Sequence, residues 1–220
     1  MVNKMYDNVT MVLTSCNRLD LLEKTIKSIP KKTLDKIPTK ILVDDSVNEE
    51  CYSALNKENK SGFLENWIIL CNEEKLGQAG SIDKAYSLVN TEYVFHCEDD
   101  WEFTDGEFID RALPILENYI SVLQVTFREG EPHKEGDQIY DSETNSAFKV
   151  WIPGWSGFPG FTYNPNIFRF SAYQKIKPIQ GISEKDVGFK YVEMGLYTVV
   201  LEKRSVRHIG DGRHVQNYVV

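Results

Sequence analysis

Residues 93–103 read YVFHCEDDWEF, a mainly apolar run that turns without a break into Glu98-Asp99-Asp100. A short run of that kind fits a strand buried on both faces, as parallel sheets require. Three carboxylates then gather at one strand end, where their mutual repulsion is unfavourable without a cation. Hard oxygen ligands suit Mg2+ or Mn2+, and Mg2+ is usually held by one or two carboxylates together with substrate phosphates. The competing reading is a solvated acidic turn that caps the next helix.

Upstream, the same grammar repeats. Residues 9–14 (VTMVLT) form a β-branched apolar run, and after the break at Asn17 a helix follows in which Leu22, Ile26 and Ile29 share a face until Pro30. Residues 41–43 are a second strand, ending in Asp44-Asp45, and residues 67–70 (WIIL) a third. Residues 79–89 place Ile82, Ala85, Tyr86 and Val89 on one helical face. Strand and helix in alternation predict an α/β fold, a mostly parallel central sheet flanked by helices. Ligands of such sheets sit beyond the carboxyl ends of the strands. That edge collects residues 15–18, Asp44-Asp45, the 72–80 loop and Glu98-Asp99-Asp100, all polar and far apart in the chain.

The second half predicts a helix over 108–119 despite Pro114, a strand over 121–127, a polar and mobile loop over 128–145, and an irregular aromatic stretch over 151–161. A helix over 183–194 with Gly195 just past its end, and strands over 196–201 and 206–209, complete the reading. No repeat or linker divides the chain, so residues 1–220 read as one domain. The 25 Lys+Arg against 33 Asp+Glu give a formal charge of −8, which argues against a surface built to neutralise duplex phosphates. No apolar run approaches the roughly 18 residues of a membrane span, and the first residues have no signal-peptide pattern, so the expected place is the cytoplasm. Cys16, Cys51, Cys71 and Cys97 are widely spaced and read as reduced thiols.

Taken together and in this order, VTMVLTSCNR (9–18), LLEKTIKSI (21–29), ILVDDS (41–46), NEEKLGQAGSIDKAY (72–86) and YVFHCEDDWEF resemble the nucleotide-sugar-binding half of A-type-fold glycosyltransferases, particularly family-two-like inverting enzymes. The likeness covers about the first 115 residues well and 183–208 more loosely. It implies a Rossmann-like domain with a donor-binding half near 1–115 and an acceptor-binding half near 116–220. It implies further that Thr14, Ser15, Asn17 and Arg18 touch the nucleotide, that Asp44 or Asp45 hydrogen-bonds base or ribose, and that the loop of Lys75, Gly77, Gln78 and Ala79 closes over it. Asp100 would bind Mn2+ or Mg2+, with Glu98 and Asp99 near the ribose and the sugar. His208 looks like the C-terminal histidine that ligates the metal in some relatives.

An inverting transfer also needs a general base for the acceptor hydroxyl. Glu184 and Asp186, at the start of the 183–194 helix, are the candidates, although Ser183-x-x-Asp186 is equally the pattern of a capping box. Arg207 and Arg213 are candidates for diphosphate contacts. Trp151, Trp155 and Phe158 suit an acceptor platform, because aromatic faces stack on sugar rings; the competing reading seals them in the core. The resulting expectation is a metal-dependent inverting glycosyltransferase with a nucleotide-diphosphate sugar donor, UDP-linked by preference. Its acceptor is open among glycans, lipid-linked sugars, proteins and small molecules, with nucleic acid disfavoured by the charge. A sugar nucleotidyltransferase is the alternative enzyme, but the Ser15–Arg18 turn lacks the Gly-rich phosphate loop that class needs. A third, non-enzymatic reading is a nucleotide-sugar-binding or receiver-like module, since ILVDDS (41–46) alone could pass for a phosphoacceptor pocket; a receiver module has about half this length and would leave Glu98-Asp99-Asp100 unexplained.

Overall fold

Every residue of the first apolar run is buried in β1 (Val9–Ser15), which lies inside the sheet. The computed structural model describes residues 5–128, 135–141, 146–151 and 159–213. After β1 come α1 (Leu19–Ser28), α2 (Lys31–Leu34), β2 (Thr39–Asp44), α3 (Glu49–Ser61), β3 (Ile68–Cys71), α4 (Gly77–Tyr86), β4 (Tyr93–Glu98) and β5 (Trp101–Phe103). The second half adds α5 (Phe108–Asn118), β6 (Val122–Thr126), β7 (Glu135–Asp141), β8 (Ser146–Trp151), β9 (Asn166–Arg169), α6 (Phe170–Ile176), α7 (Glu184–Glu193), β10 (Tyr197–Leu201) and β11 (Val206–His208).

Among the described residues the main sheet has nine strands in the order β3-β2-β1-β4-β9-β6-β10-β8-β7. The first four are mutually parallel, and β9 is inserted antiparallel between β4 and β6. From β1 the chain winds outward to β3, then returns to place β4 on the other side of β1. That reversal opens a crevice at the carboxyl ends of β1 and β4, where open α/β sheets bind ligands. Register sets Thr14 beside Glu98 and Ser15 beside Asp44 at that edge.

The alternation of side chains along a strand builds two cores from one run. Met11, Leu13 and Phe95 pack on one face with Leu22 and Ile26 of α1 and Phe108 of α5. Val12 and Val94 pack on the other with Ile82 of α4, Tyr173 of α6 and Tyr191 of α7. Because both faces are covered, the strands read as continuous apolar runs. No helix among the described residues is long and apolar enough to cross a membrane.

Two expectations are corrected. The 128–145 stretch is not simply a mobile loop, since β7 lies within it and pairs with β8 as an antiparallel hairpin on the sheet edge. An edge strand needs no buried face, and Gln138, Ile139 and Tyr140 are exposed, so β7 carries no legible periodicity. Trp151 closes β8 rather than belonging to an irregular stretch.

The acidic turn is fixed from below by α1. Thr25 Oγ1, fully buried, donates to Asp99 O at 2.7 Å and accepts from Trp101 N at 3.1 Å, while Ser28 Oγ accepts from Phe103 N at 2.8 Å. β5 then pairs antiparallel with β11, His208 opposite Trp101, and Ile209 N donates to Asp100 O at 2.8 Å. Thr25→Val keeps the shape but leaves a buried donor and acceptor unpaired, each worth about 1–3 kcal/mol. Chemical denaturation should show a loss of that order; a variant as stable as the parent would mean that α1 does not hold the turn.

Candidate functional site

Glu98 closes β4 and Asp99-Asp100 form the turn after it, and the three carboxylates take different partners. Glu98 accepts from Gln78 Nε2 at 2.7 Å and from Trp101 Nε1 at 3.1 Å. Asp99 turns under β1, where it accepts from Ser15 Oγ at 2.9 Å and takes a two-pronged ion pair from Arg18. Asp100 returns to the Glu98 side, and its Oδ2 lies 2.9 Å from Arg18 Nη1 and 3.4 Å from His208 Nε2. Glu98, Asp100 and His208 share one open cleft of about 480 Å3 with Trp101, Arg128, Asn164 and Asp211.

His208 is oriented from behind. Its Nδ1 lies 2.9 Å from Asp211 Oδ1 and its Nε2 3.4 Å from Asp100 Oδ2, so the ring is held between two carboxylates; with a cation beside Asp100, Nδ1–H would donate to Asp211 and the Nε2 lone pair would face the ion. A carboxylate behind the far ring nitrogen is the arrangement that sets the tautomer of metal-ligating histidines. Gly210 lies close over Asp100: a Cβ there would stand 2.5 Å from Asp100 Oδ2. Among the described residues no three His, Cys, Asp or Glu side chains converge to hold an ion by themselves. Asp100 and His208 could supply two ligands, and a bound diphosphate with water would have to supply the others. That division suits Mn2+ or Mg2+.

A second polar group at the same sheet edge is built on Asp45. Its carboxylate accepts from Leu76 N at 2.9 Å, Gly77 N at 3.0 Å and Asn72 Nδ2 at 2.8 Å, which shapes the loop entering α4. Gly77 has φ +70, a conformation that favours glycine. Lys75 Nζ donates to Asp45 O at 2.6 Å and lies 2.9 Å from Cys16 Sγ. Asp44 accepts from Asn17 N at 3.3 Å and Ser46 N at 2.9 Å. Thr14, Ser15, Asn17, Arg18, Asp44, Asp45, Lys75, Gly77, Gln78 and Ala79 thus belong to adjoining loops and strand ends at one edge. Arg18, however, is engaged by Asp99 and Asp100.

Glu184 opens α7. The residue is exposed, yet its carboxylate turns inward, with Oε1 accepting from Tyr163 N at 2.8 Å. Burial of the carboxyl raises its pKa, partly offset by Tyr163 N–H, Thr162 and the charge of Arg128. Glu184 and Glu98 feel each other's charge, so the base candidate and the acidic turn flank one region. Asp186 is exposed and belongs to the helix cap: its N–H donates to Ser183 Oγ at 3.1 Å, and Ser183 Oγ–H donates to Asp186 Oδ2 at 2.6 Å.

Arg207 pairs with Glu102, and Arg213 with Asp20 of α1. Trp151 is 5% exposed, so its ring packs inside rather than presenting a stacking face. Trp155 and Phe158 lie outside the described residues. Arg128, Asn164 and Asp211 were not singled out from sequence; Arg128, just after an apolar strand, carried the one readable signal.

A mixed sheet with carboxylates and a histidine at its β1/β4 crevice has the A-type glycosyltransferase fold. The family model described as glycosyl transferase family 2 matches residues 10–176, and the chain belongs to that family. The match ends before Glu184 and His208. Among solved structures, the mannosyltransferase PcManGT from Pyrobaculum calidifontis, in complex with GDP-Man and Mn2+, is similar at TM-score 0.68 and 15% identity over 94% of this chain. TarS 1-349 of S. aureus is similar at 0.62 and 14% over 90%, and GalNAc-T7 with UDP, GalNAc and Mn2+ at 0.65 and 12% over 92%. The chain spans 59%, 59% and 44% of those three chains, respectively. No curated protein sequence matches it.

Burial, reinforced by the charges of Asp100, Glu184 and Asp99, pushes Glu98 from 4.5 up to about 8. The folded protein then holds a proton on Glu98 that the unfolded chain has released, so stability falls as pH rises from 4.5 toward 8. With chelator present, melting temperature should decline across that window, and Glu98→Gln should flatten the decline. Identical slopes for the two proteins would refute the shift.

Proposed function

We propose that the chain transfers a glycosyl group from a nucleotide-diphosphate sugar to an acceptor hydroxyl, with inversion and with a divalent cation. The observation that carries this reading is the Asp100–His208 pair at 3.4 Å, backed by Asp211 and opening on the crevice beside Glu98. The pair is arranged as a partial metal shell that a diphosphate would complete. Bound there, Mn2+ or Mg2+ would neutralise the negative charge that develops on the departing nucleoside diphosphate. Two structural relatives of this fold hold Mn2+ with GDP-Man or with UDP. UDP-sugars are the first donors to test, and GDP-sugars the second.

The chain's own groups divide the remaining work. The loops around Asp45 and Gly77 wall the nucleotide side, and Arg18 holds Asp99 and Asp100 in place. Glu184 takes the acceptor proton: burial makes its carboxylate a stronger base, while its position in the first turn of α7 favours the ionised form. The acceptor oxygen bonds to the anomeric carbon as the bond to the diphosphate breaks on the opposite face.

Incubation with Mn2+ and a nucleotide-sugar panel should release nucleoside diphosphate; release of pyrophosphate would instead mark a nucleotidyltransferase. Asp100→Asn should abolish metal-dependent turnover and leave the fold intact, and near-parental activity in Mn2+ would remove Asp100 from the metal site. Glu184→Gln should slow transfer by roughly 10²–10⁴-fold with donor affinity nearly unchanged. Asp186→Asn is its counterpart: it keeps the bonds to Ser183 and loses a charge in the first turn of α7, which should cost about 0.3–1 kcal/mol of stability and little rate. An exchange of these two phenotypes would make Asp186 the base.

A further inference from the structure

Three buried side-chain atoms, His96 Nε2, Tyr163 Oη and Asn166 Oδ1, have no hydrogen-bond partner among the described residues. All three residues line one small cavity that also touches Tyr86, Gln124 and Thr162. His96 and Asn166 are register partners on β4 and β9, so their side chains share a face of the sheet. The rings of His96 and Tyr163 lie 6.1 Å apart. The cavity leaves about 10 Å3 for the centre of a water molecule, which is close to the room that one water needs.

The chemistry of the three atoms is complementary to water. Asn166 Nδ2 donates to Asn164 O at 2.7 Å and Thr162 O at 3.3 Å, which fixes Oδ1 as an acceptor. Burial pushes the Tyr163 hydroxyl well up, so it stays neutral and offers a proton. His96 lies 3.0 Å through Nδ1 from Tyr86 Oη, and burial lowers its pKa to about 3, so its ring is neutral. Its Nε2 needs one partner in either tautomer. Among the described residues no charged group lines the cavity to attract an ion.

We propose that this cavity is a water site, in which one buried water accepts from Tyr163 Oη, donates to Asn166 Oδ1 and bonds His96 Nε2. Three bonds are typical for such a water. The water ties β4, whose end carries Glu98, to the 162–166 turn, whose Tyr163 N–H holds Glu184 Oε1 at 2.8 Å. Gln124 braces the same turn: with its amide set to satisfy both ends, it donates to Thr162 O at 3.3 Å and accepts from Thr162 N at 3.1 Å. His96 and the Tyr163 hydroxyl are thus positioning groups for Glu184, a role that rests on the reading of Glu184 as the base.

A high-resolution crystal structure of the full chain tests the site directly. One ordered solvent peak about 2.7–3.2 Å from all three atoms is expected, and a dry cavity overturns the proposal. Tyr163→Phe keeps the ring and removes one bond. It should lower kcat by up to about 10²-fold, the cost of a misplaced catalytic group, with donor KM unchanged. An unchanged kcat overturns the positioning role. If Glu184→Gln is fully active while the peak is present, the base assignment fails and the water site stands.

Discussion

The site depends on three consecutive carboxylates, one closing β4 and two in the turn after it, held close together. Asp99 faces Ser15 while Glu98 and Asp100 line the cleft, and Arg18 bridges the two sets by pairing with Asp99 and Asp100 together. Without that guanidinium, a nearly buried Asp99 and Asp100 would face each other unpaired, an arrangement that costs far more than a surface ion pair gains. Arg18 needs its own support, which comes from its place at the start of α1, the helix whose Thr25 fixes the acidic turn. One helix therefore supplies both the countercharge and the backbone anchor.

The remaining components arrive from the far end of the chain. β11 pairs with β5, the strand that directly follows the acidic turn, so backbone hydrogen bonds carry His208 to Trp101 and Gly210 to Asp100. α7 reaches the other side through its cap at Ser183 and the contact of Glu184 with Tyr163. At its other end Gly195, φ +73, lets Leu196 N and Gly195 N close on Tyr191 O and Val192 O, which turns the chain into β10. The group around Asp45 is thus local to the first half, while the candidate base and the histidine are long-range additions.

That division explains what could be read from sequence. Strands buried on both faces announce themselves as apolar runs, so β1, β2 and β4 and the edge they define were legible, as were Glu98-Asp99-Asp100 and the Gly195 stop; β3, an edge strand with no fully buried residue, was legible because it is apolar all the same. Polar and short elements were not. In α3 Cys51 and Leu55 are the buried side chains, and β5 is three residues long. β9 runs straight into α6, and β7 is an exposed edge strand. The cleft partners Arg128, Asn164 and Asp211 are brought in by tertiary return, which no spacing encodes. Asp45 shows a subtler limit: an acid at a strand end was visible, but its engagement by Leu76 N–H and Gly77 N–H appears only when the loop is folded.

On the proposed reading, the charge balance also dictates how donor and cation bind. Among the described residues the cleft presents Glu98, Asp100 and Asp211 against Arg128, and Arg18 is committed to Asp99 and Asp100. A diphosphate alone would enter a region already short of positive charge, and a cation alone would find two protein ligands. Each supplies what the other lacks. Binding of either therefore raises the affinity for its partner, and by linkage the two enhancements are equal. Ionisation of Glu98 is coupled to the same balance: a cation beside Asp100 would oppose the charges that push Glu98 up. Cation, donor and the proton on Glu98 are then three expressions of one electrostatic deficit at the end of β4.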